Sequence, residues 1–111
     1  MPTTQAKPAK PGLDQLEEKA AEVSQTLRLL ANDKRLLVLC RLVEEPELSV
    51  TELGDDIGLG QSALSQHLAK LRVDGLVTTR REGQTIYYRL ADDRVAALLS
   101  ALYEIYCAPA T

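Results

Sequence analysis

The sequence has few of the features that most enzymes and membrane proteins need. It contains one histidine, two cysteines that stand 67 positions apart, and no Gly-rich cofactor loop. Without a Cys-x-x-Cys pair or a second histidine, no catalytic constellation can be assembled, so we expect neither an enzyme nor a cofactor. No apolar run approaches the ~18 residues that cross a bilayer, so we expect no membrane association.

The first twelve residues differ in composition from the rest of the chain. They hold three prolines and two lysines but no central apolar stretch of the kind found in a signal peptide. We therefore predict a disordered tail over residues 1–12, a single domain over residues 13–108, and a cytoplasmic protein. A chain of 111 residues with 45% hydrophobic content gives only a marginal core, which burial in a dimer would help.

Residues 49–90 have the pattern of two short helices followed by a hairpin. Ser49 and Glu52 form a predicted capping box, in which two backbone N–H groups at a helix start find side-chain acceptors. Gly58 and Gly60 then interrupt the helix. The hairpin follows, as two alternating strands on either side of a predicted turn at Glu82-Gly83. This order predicts a winged helix-turn-helix, a shape used mainly to read duplex DNA.

The second helix of this motif has two distinct faces. Leu64, Leu68 and Leu71 recur as a buried stripe, and small or amide side chains occupy the other side. Gln66 there is suited to a bidentate contact with adenine. His67 stands at the edge of the stripe, where it either bonds within the fold or contacts DNA. The residues predicted to contact DNA are Gln61, Ser62, Ser65, Gln66, His67, Lys70, Arg80, Arg81 and Gln84.

Charge is distributed unevenly along the chain. The net charge is −3, which by itself argues against a nucleic-acid partner. Residues 61–90, however, hold five Lys or Arg against two Asp or Glu, so this part carries +3 and the remainder −6. A positively charged segment in an otherwise acidic chain favours binding to DNA in one orientation.

Three further helices are predicted around the motif. The first begins near Leu13, with apolar residues in a narrow seam of 3-4 spacing that is typical of a helix facing a partner helix. The second begins at Asn32-Asp33 and ends before Pro46, and the last is capped by Asp92 or Asp93. The expected fold is thus mainly α with a β-hairpin wing, an α+β arrangement of five helices and two strands.

The chain resembles the ArsR/SmtB family of dimeric bacterial repressors over roughly residues 13–107. The resemblance rests on residues 29–36 and 62–77, followed by 80–83 and 87–90. It implies a homodimer formed by the first and last helices, and a recognition helix over residues 61–74 that enters the major groove. The partner it implies is double-stranded operator DNA with an inverted repeat.

Many members of this family sense metal ions, but the residues needed for that are replaced here. Where such relatives have two cysteines at the start of the helix-turn-helix, this chain has Ser49 and Thr51. On the last helix Asp92 is kept, but Arg94 stands at the expected histidine position. Hydroxyls are poor ligands for soft ions, so we expect no metal site.

Cys40 and Cys107 remain as candidate sensing residues. Each could be an ordinary core residue, because free cysteine is commonly buried. Their positions on the second and last helices, however, resemble those in sulfide-responsive family members of the BigR and SqrR type, which sense persulfides through a dithiol. The resemblance implies a redox-sensing repressor with reactive sulfur species as inducer. An arsenite- or peroxide-responsive repressor, and a winged helix that binds protein instead of DNA, remain alternatives.

Overall fold

The computed structural model describes residues 11–107, which form five helices and three strands. The helices are α1 (Pro11–Leu30), α2 (Asp33–Glu44), α3 (Val50–Ile57), α4 (Gln61–Val73) and α5 (Asp93–Tyr106), and the strands are β1 (Leu48–Ser49), β2 (Val77–Glu82) and β3 (Thr85–Leu90). The mainly helical fold with a hairpin wing is confirmed, with one short strand added. Helix α1 begins two residues before the predicted domain start, so the last two residues of the tail predicted over residues 1–12 are helical. Residues 1–10 lie outside the described part.

The helix starts follow from their capping residues. The Asn32 side chain accepts hydrogen bonds from two backbone N–H groups at the start of α2, at 3.0 and 3.1 Å. At α3 the predicted capping box is confirmed, because Ser49 Oγ accepts from the Glu52 N–H at 3.2 Å and the Glu52 carboxylate accepts from the Ser49 N–H at 2.8 Å. Asp92 caps α5. These bonds satisfy backbone donors that have no partner inside a helix.

The sheet has β3 in the centre, with β2 and β1 antiparallel on either side. Glu82 is paired with Thr85, so the hairpin turn is Gly83-Gln84 and not Glu82-Gly83 as predicted. Gly83 has φ +63°, the left-handed conformation that a two-residue hairpin turn requires at its first position. Strand β1 was not predicted from the sequence, since two residues are too few to show an alternating pattern.

Helix α2 lies at the centre of the fold. It packs against α1, α3, α4, α5 and β3. Val38 and Leu39 of this helix are fully buried, as is the predicted stripe of Leu64, Leu68 and Leu71 on α4. A displacement of α2 would therefore be transmitted both to the helix-turn-helix and to α5. None of the helices within residues 11–107 is long and apolar enough to cross a bilayer.

Apolar side chains remain exposed on α1 and α5. In the single chain, Leu16 and Leu27 are about half exposed, and Ile105 and Tyr106 are exposed to 71% and 79%. The narrow seam predicted on the first helix is therefore uncovered along most of its length. Exposed apolar surface of this kind is typical of sites that contact another protein.

Candidate DNA interface and cysteine site

The outer face of α4 carries most of the residues predicted to contact DNA. Five of the predicted residues are exposed on this helix: Gln61, Ser62, Ser65, Gln66 and Lys70. The Lys70 ammonium lies 3.5 Å from the Asp74 carboxylate. The first turn has no side-chain cap at Gly60, so its backbone N–H groups are available to a phosphate.

His67 lies at the border of this face. Its side chain is half-buried, beside the leucine stripe. The His67 imidazole forms no hydrogen bond with the described residues, so the structure does not contain the internal bond that the sequence suggested. Its contact with DNA stays a prediction.

The wing lies close to the start of α4. Gln61 and Gln84 line one cleft of about 520 Å³, together with Glu52 and Tyr87. The structure thus brings together two predicted DNA contacts that are 23 positions apart in the sequence. Two amide side chains at one cleft present both hydrogen-bond donors and acceptors.

The two adjacent arginines of β2 have different surroundings. The Arg80 guanidinium binds Glu47, with its Nη2 at 2.8 Å from Oε1 and its Nε within 3.1 Å of both carboxylate oxygens. Its Nη1 binds the Glu82 carboxylate at 2.8 Å. Arg81 is exposed and forms no ion pair with another residue in the range 11–107. Glu47 did not figure in the sequence prediction, because it stands 33 positions before its partner.

Cys40 lies in a groove between α2 and α5. The groove has a volume of about 180 Å³, and Val43, Leu99 and Tyr103 form part of its apolar lining. Burial raises the pKa of the Cys40 thiol, and negative charge on Cys107 and on a nearby glutamate raises it further. At neutral pH the Cys40 side chain is therefore held as the neutral thiol.

Cys107 caps the C-terminal end of α5. It is exposed, and its backbone N–H donates to the Tyr103 carbonyl at 2.8 Å. Both cysteines are free thiols in the structure. Helices α2 and α5 pack together, so the two cysteines belong to neighbouring elements.

The residues that replace the metal ligands of other family members form different interactions in this structure. Ser49 is used as a helix cap. The Arg94 guanidinium lies 3.1 Å from the Asp92 carboxylate and 2.8 Å from that of Glu22. No cluster of three or more His, Cys, Asp or Glu side chains that could hold a metal ion occurs between residues 11 and 107.

These features define a winged helix-turn-helix protein with an exposed recognition helix. The model of the family described as bacterial regulatory protein, arsR family, matches residues 32–79. Relatives with more than 40% identity extend the match over most of the chain. The chain belongs to the arsR family of bacterial regulatory proteins, transcriptional regulators that bind operator DNA.

Two relatives illustrate the similarity. The transcriptional activator HlyU of Vibrio cholerae is 47% identical over 86% of this chain and 87% of its own length. The structure described as reduced HlyU from Vibrio cholerae matches with a TM-score of 0.79 and covers 85% of this chain and 98% of that one. The biofilm growth-associated repressor of Xylella fastidiosa is 46% identical over 86% and 82% of the two lengths. The crystal structure of the repressor BigR from Xylella fastidiosa, 46% identical, matches with a TM-score of 0.81 over 86% and 97%.

Proposed function

We propose that this chain is a dithiol redox-sensing transcriptional repressor. In this proposal the reduced homodimer binds operator DNA and leaves it when reactive sulfur species bridge Cys40 and Cys107. The observation that carries the proposal is the packing of α2, which bears the half-buried Cys40, against α5, which ends at the exposed Cys107. The charge of Cys107 contributes to the raised pKa of Cys40, as expected for thiols that lie near each other. The chain is similar to a repressor and to a protein whose structure is described as reduced, which supports a repressor that responds to redox state.

The proposed dimer uses the exposed apolar faces of α1 and α5. A twofold dimer presents two copies of α4, which requires an operator with inverted symmetry. Leu27→Glu places a charge on the apolar face of α1, and we expect it to give a folded monomer with weak DNA binding. Gln25→Glu is the matched control, because it lies on the opposite face and its carboxylate can still accept the hydrogen bond from Arg28. Sedimentation equilibrium distinguishes the two variants, and a Leu27→Glu dimer would contradict this interface.

The proposed reaction begins at the exposed thiol. The Cys107 thiolate attacks the outer sulfur of a persulfide RSSH, the donor S–S bond breaks, and RS⁻ leaves and takes up a proton. The Cys40 thiol then loses its proton and attacks Cys107 Sγ of the new persulfide. The S–S bond of that persulfide breaks, HS⁻ leaves and takes up a proton, and a disulfide remains. If both cysteines become persulfides, their condensation releases H₂S and leaves a bridge of three sulfur atoms. A longer bridge spans a gap beyond the ~7 Å Cα separation that a plain disulfide tolerates.

The bridge acts through the position of α2. This helix packs against both α3 and α4, and it also packs against α5, whose exposed end belongs to the proposed dimer face. A covalent link between α2 and the end of α5 therefore changes the orientation of the helix-turn-helix relative to the dimer face. Two recognition helices with altered separation no longer fit successive turns of the major groove.

The test is release from DNA. Fluorescence anisotropy of a labelled promoter duplex that carries an inverted repeat monitors this release. Reduced protein, Cys40→Ser and Cys107→Ser should all bind, but polysulfide should release only the wild type. Peroxide and arsenite are run in parallel, and a stronger release by either would favour the alternative inducers. Release of both variants by polysulfide, with the affinity change seen in the wild type, would contradict the dithiol mechanism.

A further inference from the structure

The two adjacent wing arginines cannot have the same task, because successive side chains of a strand point to opposite faces of the sheet. Arg80 lies opposite Tyr87 of β3, and Arg81 lies opposite Ile86. The Arg80 guanidinium carbon is 4.9 Å from the centre of the Tyr87 ring. Arg80 therefore extends over the central strand of the sheet and not away from it.

On the far side of the central strand this guanidinium reaches Glu47. Glu47 directly precedes β1, whose Leu48 is paired with Tyr88 of β3. Arg80 comes from β2, on the other edge, so the bidentate contact with Glu47 joins the two outer strands across β3. Because β1 leads directly into α3, this contact connects the wing to the helix-turn-helix.

The positive charge of Arg80 is already paired within the chain, with two carboxylates. Every guanidinium nitrogen of Arg80 donates to the carboxylate of Glu47 or of Glu82. Hydrogen bonding from Arg80 lowers the pKa of Glu47, so the pair stays ionised at neutral pH. A phosphate that approaches Arg80 would meet the negative charge of the two carboxylates already bound to it. Arg81 is exposed, and among residues 11–107 no carboxylate competes for it.

We propose that Glu47 and Arg80 form a clamp that positions the wing, while Arg81 contacts the DNA phosphate backbone. The proposal rests on the proposed DNA binding and assigns separate tasks to residues that the sequence presents as equivalent. Arg80 acts through the geometry of the wing and makes no direct contact with DNA. Glu47, which belongs to neither the recognition helix nor the wing, becomes a positioning residue for operator binding.

The test compares Arg81→Gln, Arg80→Gln and Glu47→Gln in full-length protein, with DNA affinity measured over a series of salt concentrations. Loss of one phosphate contact reduces the slope of log K against log salt by about 0.9, hence by about 1.8 for the two wings of a dimer. Arg81→Gln should show this reduction. Arg80→Gln and Glu47→Gln should lower affinity by similar factors without changing the slope, and the double variant should bind no worse than either single one.

Hydroxyl-radical footprints distinguish a misplaced wing from general destabilisation. With Arg80→Gln or Glu47→Gln, protection should be lost where the wing contacts DNA and kept where α4 lies in the major groove. A reduced slope for Arg80→Gln would overturn the assignment, because Arg80 would then contact phosphate. Tighter binding by Glu47→Gln would also overturn it, since Glu47 would then mask Arg80 instead of positioning it.

A measurement without DNA separates this proposal from the proposed function. Amide hydrogen exchange of the free protein should speed up in β1 and β2 for Glu47→Gln and for Arg80→Gln, and stay unchanged for Arg81→Gln. If the wild type fails to bind any promoter duplex, the proposed function fails while the clamp is still tested by exchange. Unchanged exchange in both clamp variants would overturn the clamp itself.

Discussion

Arg94 on α5 lies 2.8 Å from Glu22 on α1, an ion pair between residues 72 positions apart. The same guanidinium contacts Asp92 and lowers the pKa of that carboxyl, so the three charges persist at neutral pH. The pair thus connects the two helices that carry the exposed apolar faces. We expect Glu22→Gln to keep the fold but weaken dimerisation a few-fold, and to do so less at high salt, because exposed charges are screened. Sedimentation equilibrium at two salt concentrations measures this, and an unchanged dimerisation constant at low salt would refute it.

Base recognition should depend on Gln66 and general affinity on Lys70. Gln66→Ala removes the bidentate hydrogen bonds to adenine, and we expect discrimination at one base pair of each half-site to fall by about 1–3 kcal/mol. Lys70→Ala should weaken binding to all sequences about equally and reduce the salt dependence. Competition assays with operators altered one base pair at a time separate the two effects. Equal losses on all operators for Gln66→Ala would assign it a backbone contact instead.

The stability of the recognition helix depends on its buried leucines. Leu68 is fully buried, so Leu68→Ala should lower the free energy of unfolding by about 2–5 kcal/mol through lost burial and a residual cavity. Leu37→Ala is the control, because Leu37 is 47% exposed and its truncation should cost about 1 kcal/mol or less. Urea unfolding at a fixed protein concentration measures both. Equal losses for the two variants would mean that the packing of α4 is described wrongly.

Thiol reactivity should depend on pH in a way set by the raised pKa of Cys40. A raised pKa leaves less thiolate at a given pH, so alkylation of Cys40 should reach its midpoint at a higher pH than that of an ordinary thiol. Burial is the larger cause and the charge of Cys107 a smaller one. Cys107→Ser should therefore shift the midpoint pH of Cys40 alkylation part of the way down. Ser100→Ala is the control, because it changes the same groove without removing a charge and should leave this midpoint unchanged. Peptide-resolved alkylation by iodoacetamide measures this, and the same midpoint in wild type and Cys107→Ser would show that the thiols do not interact.

Local sequence signals predicted the helices well. The capping box at Ser49 and the stripe of Leu64, Leu68 and Leu71 depend on residues within one helix, so spacing alone identifies them. The hairpin was predicted with its turn one residue early, because the final register depends on which strand residues pair. Strand β1 left no pattern to detect.

The contacts that distinguish individual site residues could not be predicted from spacing. The sequence presents Arg80 and Arg81 as an equivalent basic pair, and only the fold brings Glu47 to one of them. Likewise, Arg94 could be recognised as a replacement for a metal ligand, but its partner Glu22 lies on α1 and comes close to it only in the folded chain. Long-range ion pairs depend on tertiary structure, so residue type and neighbours do not reveal them.

Peptide mass mapping of the polysulfide-treated dimer tests whether Cys40 and Cys107 are bridged within one subunit. Mixed dimers of ¹⁵N-labelled and unlabelled chains distinguish a bridge within a subunit from one between subunits. We expect a cross-linked peptide pair that contains both cysteines and has the mass of a disulfide or of added sulfur. Both peptides should come from the same isotopic chain, and the pair should form as the protein leaves its operator. Release from DNA without this cross-linked pair, or a pair joining labelled to unlabelled peptides, would contradict it.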